Sequence, residues 1–359
     1  MTEDAGLTGA SGGDVARLFH TEAVAPILAG EFPRLRYAAG RLGSGSDMLG
    51  LDDAMSRDHD WGCRLTLLMD QADAATVPAV RDRLTAQLPD SWRGRPVRFA
   101  TTWDSSEVHR VEVATVRDFA RSRLAADPLA GLTAVDWLML TGQGVLEVTA
   151  GPVFTDRTTE LSQIRETLRW YPADADRYLL AAGWLLVSSR LPMHGRAADR
   201  GDEAGARVIA GAITGSLLRL ALLVHRRWAP YEKWLGTAVR GLPDGPALAG
   251  FLTAATSAPD RSGREEAMAG AAEVILDVQR DRGLPVPRPA FNQFWDRPYP
   301  HVNPAVIRGL RAGIKDPDLA RLPAEVGSIE QWCGDVELLA RPEQRIALAA
   351  AYRAWLQAT

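Results

Sequence analysis

Apolar residues change their period near residue 125, and that change constrains the fold more than any other feature of the chain. Before it, Leu35 to Leu42, Trp61 to Met69, Pro96 to Thr101 and His109 to Val116 are short apolar runs. Gly, Pro, Asp or Ser bound each of them, as strands require. Between the second and third, Val77, Val80, Leu84 and Leu88 recur at helical spacing, and Arg117 to Leu124 reads as another helix. Beyond residue 126, apolar residues at i, i+3 and i+4 mark Leu132 to Leu140, Thr158 to Trp170, Asp174 to Leu191 and Asp202 to Arg227. The same spacing marks Pro230 to Leu242, Glu265 to Arg282, Pro304 to Ile314, Ser328 to Leu339 and Pro342 to Leu356. Gly144 to Phe154 is the exception and reads as a short hairpin. The pattern predicts an α+β protein: a small mixed-sheet domain over residues 1–125, then an all-α helical bundle over 126–359.

Composition narrows the function classes. The 359 residues allow two or three domains, and 46% hydrophobic with 24% charged residues is ordinary for a folded globular chain. With 41 Lys+Arg against 45 Asp+Glu the net charge is −4. This disfavours non-specific binding to nucleic acid or an anionic membrane, both of which need concentrated positive charge. Cys63 and Cys333 are too few for a disulfide framework or a cysteine-ligated zinc site. The first fifteen residues carry Glu3, Asp4 and Asp14 and no basic cluster ahead of an apolar run. The most apolar stretch, Leu217 to Val224, is interrupted by Arg219 and falls short of the ~20 residues of a membrane span. The expectation is a cytoplasmic protein with no membrane partner.

The chemistry concentrates between Arg41 and Asp70. A predicted strand ends at Leu42, and Gly43-Ser44-Gly45-Ser46 follows. Glycines there let backbone approach a ligand closely, and N–H groups beyond them can meet an anion. Ser46 offers a hydroxyl to phosphate, or else caps a helix beginning after Asp47. Asp58-His59-Asp60 stands at the start of the next apolar run. On a strand, Asp58 and Asp60 would face one way with Cα atoms ~6.5–7 Å apart. Such a pair suits Mg²⁺, a hard ion that shares oxygen ligands with phosphates. The plain alternative is two solvated loop acids.

This order of strand, Gly-Ser turn, Asp-x-Asp and strand resembles the polymerase-β-like nucleotidyltransferase superfamily. Gly45, Ser46, Gly50, Ser56, Asp58 and Asp60 follow its GSxxxG…S…DxD layout. DHDWG (58–62), VFTD (153–156), IRETLRWYP (164–172), GRAADRGDE (195–203) and WAPYEKWLG (228–236) resemble a bacterial family of uncharacterised nucleotidyltransferase-like domains with a helical C-terminal region. His59 departs from the apolar residue usual between the aspartates, and Arg57 from the acid or serine ahead of them.

The resemblance implies a metal-dependent enzyme. It would move a nucleoside monophosphate, AMP by preference, from ATP or another NTP to a hydroxyl of a small-molecule or protein acceptor; nucleic acid is not favoured. Mg²⁺ or Mn²⁺ would sit on Asp58, Asp60 and a third carboxylate. Glu112 is the candidate for that third position, with Glu107 as fallback. The resemblance also makes Lys233 a phosphate ligand and lets Tyr231 shape the pocket, with Arg196 or Arg200 in reach of phosphate. A surface role for Lys233 and helix capping around Arg196, Arg200 and Asp202 are the plain alternatives. The rival from another class is a non-catalytic nucleotide sensor or antitoxin-like partner on the same fold. Arg219 and His225 share the R-x₅-H spacing of HEPN ribonucleases, but a histidine ending a helix more simply meets the helix dipole.

Overall fold

The computed structural model describes residues 9–53, 60, 62–102 and 104–358. The chain divides into two compact units, residues 1–132 with 144–169, and residues 133–143 with 170–359. The first unit thus runs past residue 125 and recovers a later segment.

In chain order, α1 (Gly12–Phe19) and α2 (Ala25–Glu31) precede β1 (Ala38–Gly40) and β2 (Arg64–Met69). Then come α3 (Val77–Gln87), the small ribbon β3 (Ser91–Trp92) and β4 (Arg95–Pro96), then β5 (Arg98–Thr101), β6 (Asp104–Thr115) and α4 (Val116–Leu124). The chain enters the second unit with α5 (Ala134–Met139), and α6 (Gly142–Thr149), β7 (Val153–Asp156) and α7 (Glu160–Thr167) follow.

Five strands form one mixed sheet in the order β5-β6-β2-β1-β7. Only β2 and β6 run parallel, joined through α3 and the ribbon, as a parallel pair requires a long crossover. Along β6, His109, Val111, Val113 and Thr115 are buried while Arg110, Glu112 and Ala114 are less so. Leu65, Leu67, Met69, Val111 and Val113 pack on Val15, Phe19, Val80 and Leu84. Each such side chain contributes roughly 1.5–3 kcal/mol of burial. Strand alternation puts Arg64, Thr66 and Glu112 on the opposite face.

The hairpin expected over Gly144 to Phe154 is instead α6 followed by β7. Val145 and Val148 are spaced for a helix and both are fully buried, so the helical period wins. Gly151 then lets the chain pass so close that a Cβ there would sit 1.8 Å from the Arg41 carbonyl oxygen. β7 continues onto the open edge of β1.

The second unit is helical, with α8 (Ala173–Asp199), α9 (Glu203–Val224), α10 (Leu235–Arg240), α11 (Gly245–Ser257) and α12 (Arg261–Asp281). A hairpin, β8 (Phe291–Phe294) and β9 (Arg297–Val302), follows. Then come α13 (Pro304–Ala312), α14 (Pro317–Arg321), α15 (Ile329–Trp332), α16 (Val336–Ala340) and α17 (Pro342–Ala358). Trp184, Leu191, Leu217 and Ile275 lie at 0% exposure in its core, where the Trp184 indole N–H donates to Gln279 Oε1 at 3.0 Å. By length and composition alone α9 is long and apolar enough to cross a membrane. Ile213, Leu217, Leu220 and Leu222 on it are part of this core.

Three features depart from the predicted elements. α8 runs through Pro192 to Asp199, held by buried residues on both sides of the proline, so Arg196 lies on a helix and not in a loop. The hairpin between α12 and α13 and the helix α11 are not among the elements predicted, although Leu248, Leu252 and Ala255 of α11 are buried at helical spacing.

Candidate functional site: a glycine turn backed by buried arginines

The turn after β1 is built around one guanidinium. Arg41 is 1% exposed and donates from Nη1 to the Leu42 carbonyl at 2.6 Å and from Nη2 to the Ser44 carbonyl at 2.6 Å. Its Nε and Nη2 also meet Asp47 Oδ2 and Oδ1 at 2.7 and 2.8 Å. The cation therefore winds residues 42–47 around itself. Gly43 and Gly45 take φ of +84° and +131°, where an L side chain is strained. At Gly45 a Cβ would lie 2.4 Å from Asp47 Oδ1 and 2.5 Å from Arg41 Nη2. The Gly43 N–H is bound to the Glu147 carbonyl. Among the described residues, no acceptor takes the N–H groups of Ser44, Gly45 and Ser46. Ser46 opens a single 3₁₀ turn, Asp47–Leu49, and its side chain makes no capping bond there. Three backbone donors and a hydroxyl are thus presented together, an arrangement that suits an oxyanion.

Arg64, at the start of β2, lies behind this turn. Its Nη2 donates to Ser44 Oγ at 3.2 Å and its Nη1 to the Asp60 carbonyl at 3.4 Å. Burial pushes the guanidinium down to about 10, and Arg41 beside it adds repulsion; Asp47, Asp60 and Glu112 pull the other way. A desolvated cation of this kind gains from an added anion.

The carboxylates are arranged otherwise than a strand pair. Asp60 stands four residues ahead of β2 with φ +57°, and its Oδ1 accepts the Thr102 N–H at 2.6 Å. It therefore does not begin a strand. Ser56, Asp58 and His59 lie outside the described residues. Glu112, in register with Thr66, holds Arg123 Nη2 at 3.0 and 2.8 Å through its two oxygens, while Arg123 Nε meets Glu147 at 3.1 Å. Glu107 is exposed on β6. Among the described residues no three His, Cys, Asp or Glu side chains form a group that could hold a metal ion. The described carboxylates alone thus do not make a cation site. Cys63 offers no nucleophile: burial pushes its thiol up to about 12, with only Arg95 pulling it down.

The remaining predicted residues belong to the second unit. Lys233 is exposed on the 3₁₀ turn Glu232–Trp234, with Nζ 4.6 Å from the Trp234 ring centroid. The Tyr231 N–H donates to Gln143 Oε1 at 3.1 Å. Arg196 is exposed, its guanidinium 5.8 Å from the Tyr299 ring centroid. Asp202 caps α9 through Gly205 N–H at 2.8 Å, and Arg200 is the C-cap of α8. His225 closes α9 with Nδ1 2.8 Å from the Ala221 carbonyl and Nε2 2.8 Å from Asp244, a helix-end role.

Arg41, Asp47, Arg64 and Arg123 were not singled out by sequence reasoning. The one signal available was two arginines, 41 and 64, abutting apolar strand runs where a hydrophobic residue would be ordinary.

Residues 137–235 match a domain of unknown function (DUF4037), well under half of the chain. No curated protein matches the chain. Among solved structures, the chain is similar to a nucleotidyltransferase-like protein from Exiguobacterium sibiricum 255-15 at 15% identity. That similarity covers 73% of this chain and 80% of the other, with a TM-score of 0.33.

Proposed function

We propose that the first unit binds the phosphates of a nucleoside triphosphate over the Gly43–Ser46 turn. In this reading it transfers the nucleoside monophosphate to a hydroxyl of a small-molecule or protein acceptor. The observation that carries the reading is the turn itself: backbone N–H groups of 44–46 left to a ligand, with the desolvated Arg64 behind them. Such preorganised donors stabilise the charge that develops on the phosphates as pyrophosphate leaves. Asp60, together with Asp58, is the part of the site we assign to a divalent cation, and the resemblance to nucleotidyltransferases supports that assignment. Glu112 is given another role: held by Arg123, it fixes the wall beside Gly43. Lys233, Tyr231 and Arg196 are given no role in this reading.

A second reading, a nucleotide-binding sensor without turnover, is favoured by the commitment of both Glu112 oxygens to Arg123. Pyrophosphate release from ATP with Mg²⁺ and a panel of hydroxylated acceptors separates the two. Release that Asp60→Asn abolishes supports transfer. Saturable nucleotide binding without release supports the sensor, and neither binding nor release refutes both.

A further inference from the structure

The helical unit holds a cavity of about 410 Å³ that the phosphate-binding turn does not explain. Every residue lining it belongs to the second unit, from α8, α9 and the segments 170–171, 227–232 and 328–334. Its walls are of two kinds. One is aromatic: Trp170, Tyr171 and Trp228 meet at tilted and edge-to-face angles with ring centroids 4.3–5.2 Å apart, and Trp332 is 46% exposed. The other is cationic. Arg190 from α8, Arg219 from α9 and Arg227 beyond α9 all line the space. Among the described residues none of the three has a carboxylate within ion-pair distance; Arg190 donates only to Ser216 Oγ, at 2.7 Å. Other arginines of this unit do sit in ion pairs, as Arg264 with Glu203 and Arg282 with Asp176. Glu232 and Glu330 also line the cavity, so guanidinium groups outnumber carboxylates there. Glu330 accepts the Gly142 N–H at 3.0 Å; burial pushes its carboxyl up, and Arg219 is the foremost cation pulling it back down.

The α9 wall leaves room for an occupant. Gly211 and Gly215 of α9 line the space, and a Cβ added at either would meet nothing within 4 Å. Glycine inside a helix costs about 1 kcal/mol relative to alanine, so two on one face, each opening onto a cavity, leave room at some expense of stability.

We propose that this cavity binds a small organic anion with a flat ring. Arg190 and Arg219 hold its phosphate or carboxylate by charge-assisted hydrogen bonds, and the ring lies against Trp170 and Trp228. The site is independent of the turn in the first unit.

The test uses the full chain, titrated with 1-naphthyl phosphate, 1-naphthoate, 1-naphthol and inorganic phosphate and followed by calorimetry and tryptophan fluorescence. The expected result is 1:1 binding of at least one naphthyl anion, tenfold or more tighter than naphthol or phosphate. The tighter anion tells a phosphomonoester ligand from a carboxylate. Arg219→Gln and Arg190→Gln should each weaken it at least tenfold. Gly215→Leu fills the space on a good helix former, so it should abolish binding with an unchanged or raised melting temperature. No saturable binding of either anion overturns the proposal, as does binding that survives Gly215→Leu. A loss in Arg64→Gln but not in Gly215→Leu would put the probe on the turn and overturn it equally.

Discussion

Arg41 and Asp47 form a two-point ion pair, at 2.7 and 2.8 Å, with side chains only 2% and 9% exposed. Six residues apart in sequence, they close the loop that carries Gly43, Ser44, Gly45 and Ser46. The same guanidinium holds two carbonyls inside that loop, so its shape is set before any ligand arrives.

Removing Asp47 leaves Arg41 charged and buried with two backbone carbonyls as its remaining partners. Breaking one side of a buried pair typically costs about 3–5 kcal/mol. Asp47→Ala should lower the urea midpoint accordingly; an unchanged midpoint would show that the pair does not hold the turn.

Gly45 and Gly50 separate backbone strain from crowding. Both have positive φ, +131° and +67°. A Cβ at Gly50 meets nothing within 4 Å, whereas at Gly45 it strikes Asp47 and Arg41. Gly50→Ala should therefore cost only the ~1–2 kcal/mol of a left-handed residue. Gly45→Ala should cost more and also weaken triphosphate binding at least tenfold. Equal melting temperatures and equal nucleotide affinities in the two variants would contradict the crowding.

Much of the fold was legible in the sequence, and the reasons differ by region. β2 and α3 lie where apolar spacing placed them because both bury one face completely. The turn at 43–46 was legible from its glycines. Its anchor was not, because an arginine beside an apolar strand looks like a solvated end until a carboxylate six residues on is brought against it. The Asp-x-Asp reading assumed strand alternation, which Asp60 breaks by taking φ +57° ahead of β2. The hairpin read over 144–154 failed because Leu146 and Val148 alternate as on a strand, whereas Val145 and Val148 carry the helical period that prevails. The cavity was invisible, since its arginines and tryptophans come from segments as far apart as Trp170 and Trp332.

Arg64 gives a pH signature with a definite sign. Its guanidinium is held down to about 10, well below the ordinary arginine range. Phosphate favours the charged form, so nucleotide affinity should be full below about 10 and fall as pH rises through it. For the fold alone the sign reverses: the unfolded chain keeps this proton to higher pH, so Arg64's contribution to stability improves as pH rises above about 10. Nucleotide titrations at pH 8, 9 and 10.5 on wild type and Arg64→Gln check the first. A pH step of the same size in both proteins would clear Arg64 of the role.

The central claim is that the turn and the arginine behind it hold a triphosphate. Calorimetric titration of ATP, GTP, CTP and UTP into wild type and Arg64→Gln tests it most directly. The account predicts saturable 1:1 binding of at least one triphosphate to wild type, weakened tenfold or more in Arg64→Gln while the melting temperature stays within a few degrees. Wild type that binds none of the four, or Arg64→Gln that binds as tightly as wild type, would contradict it.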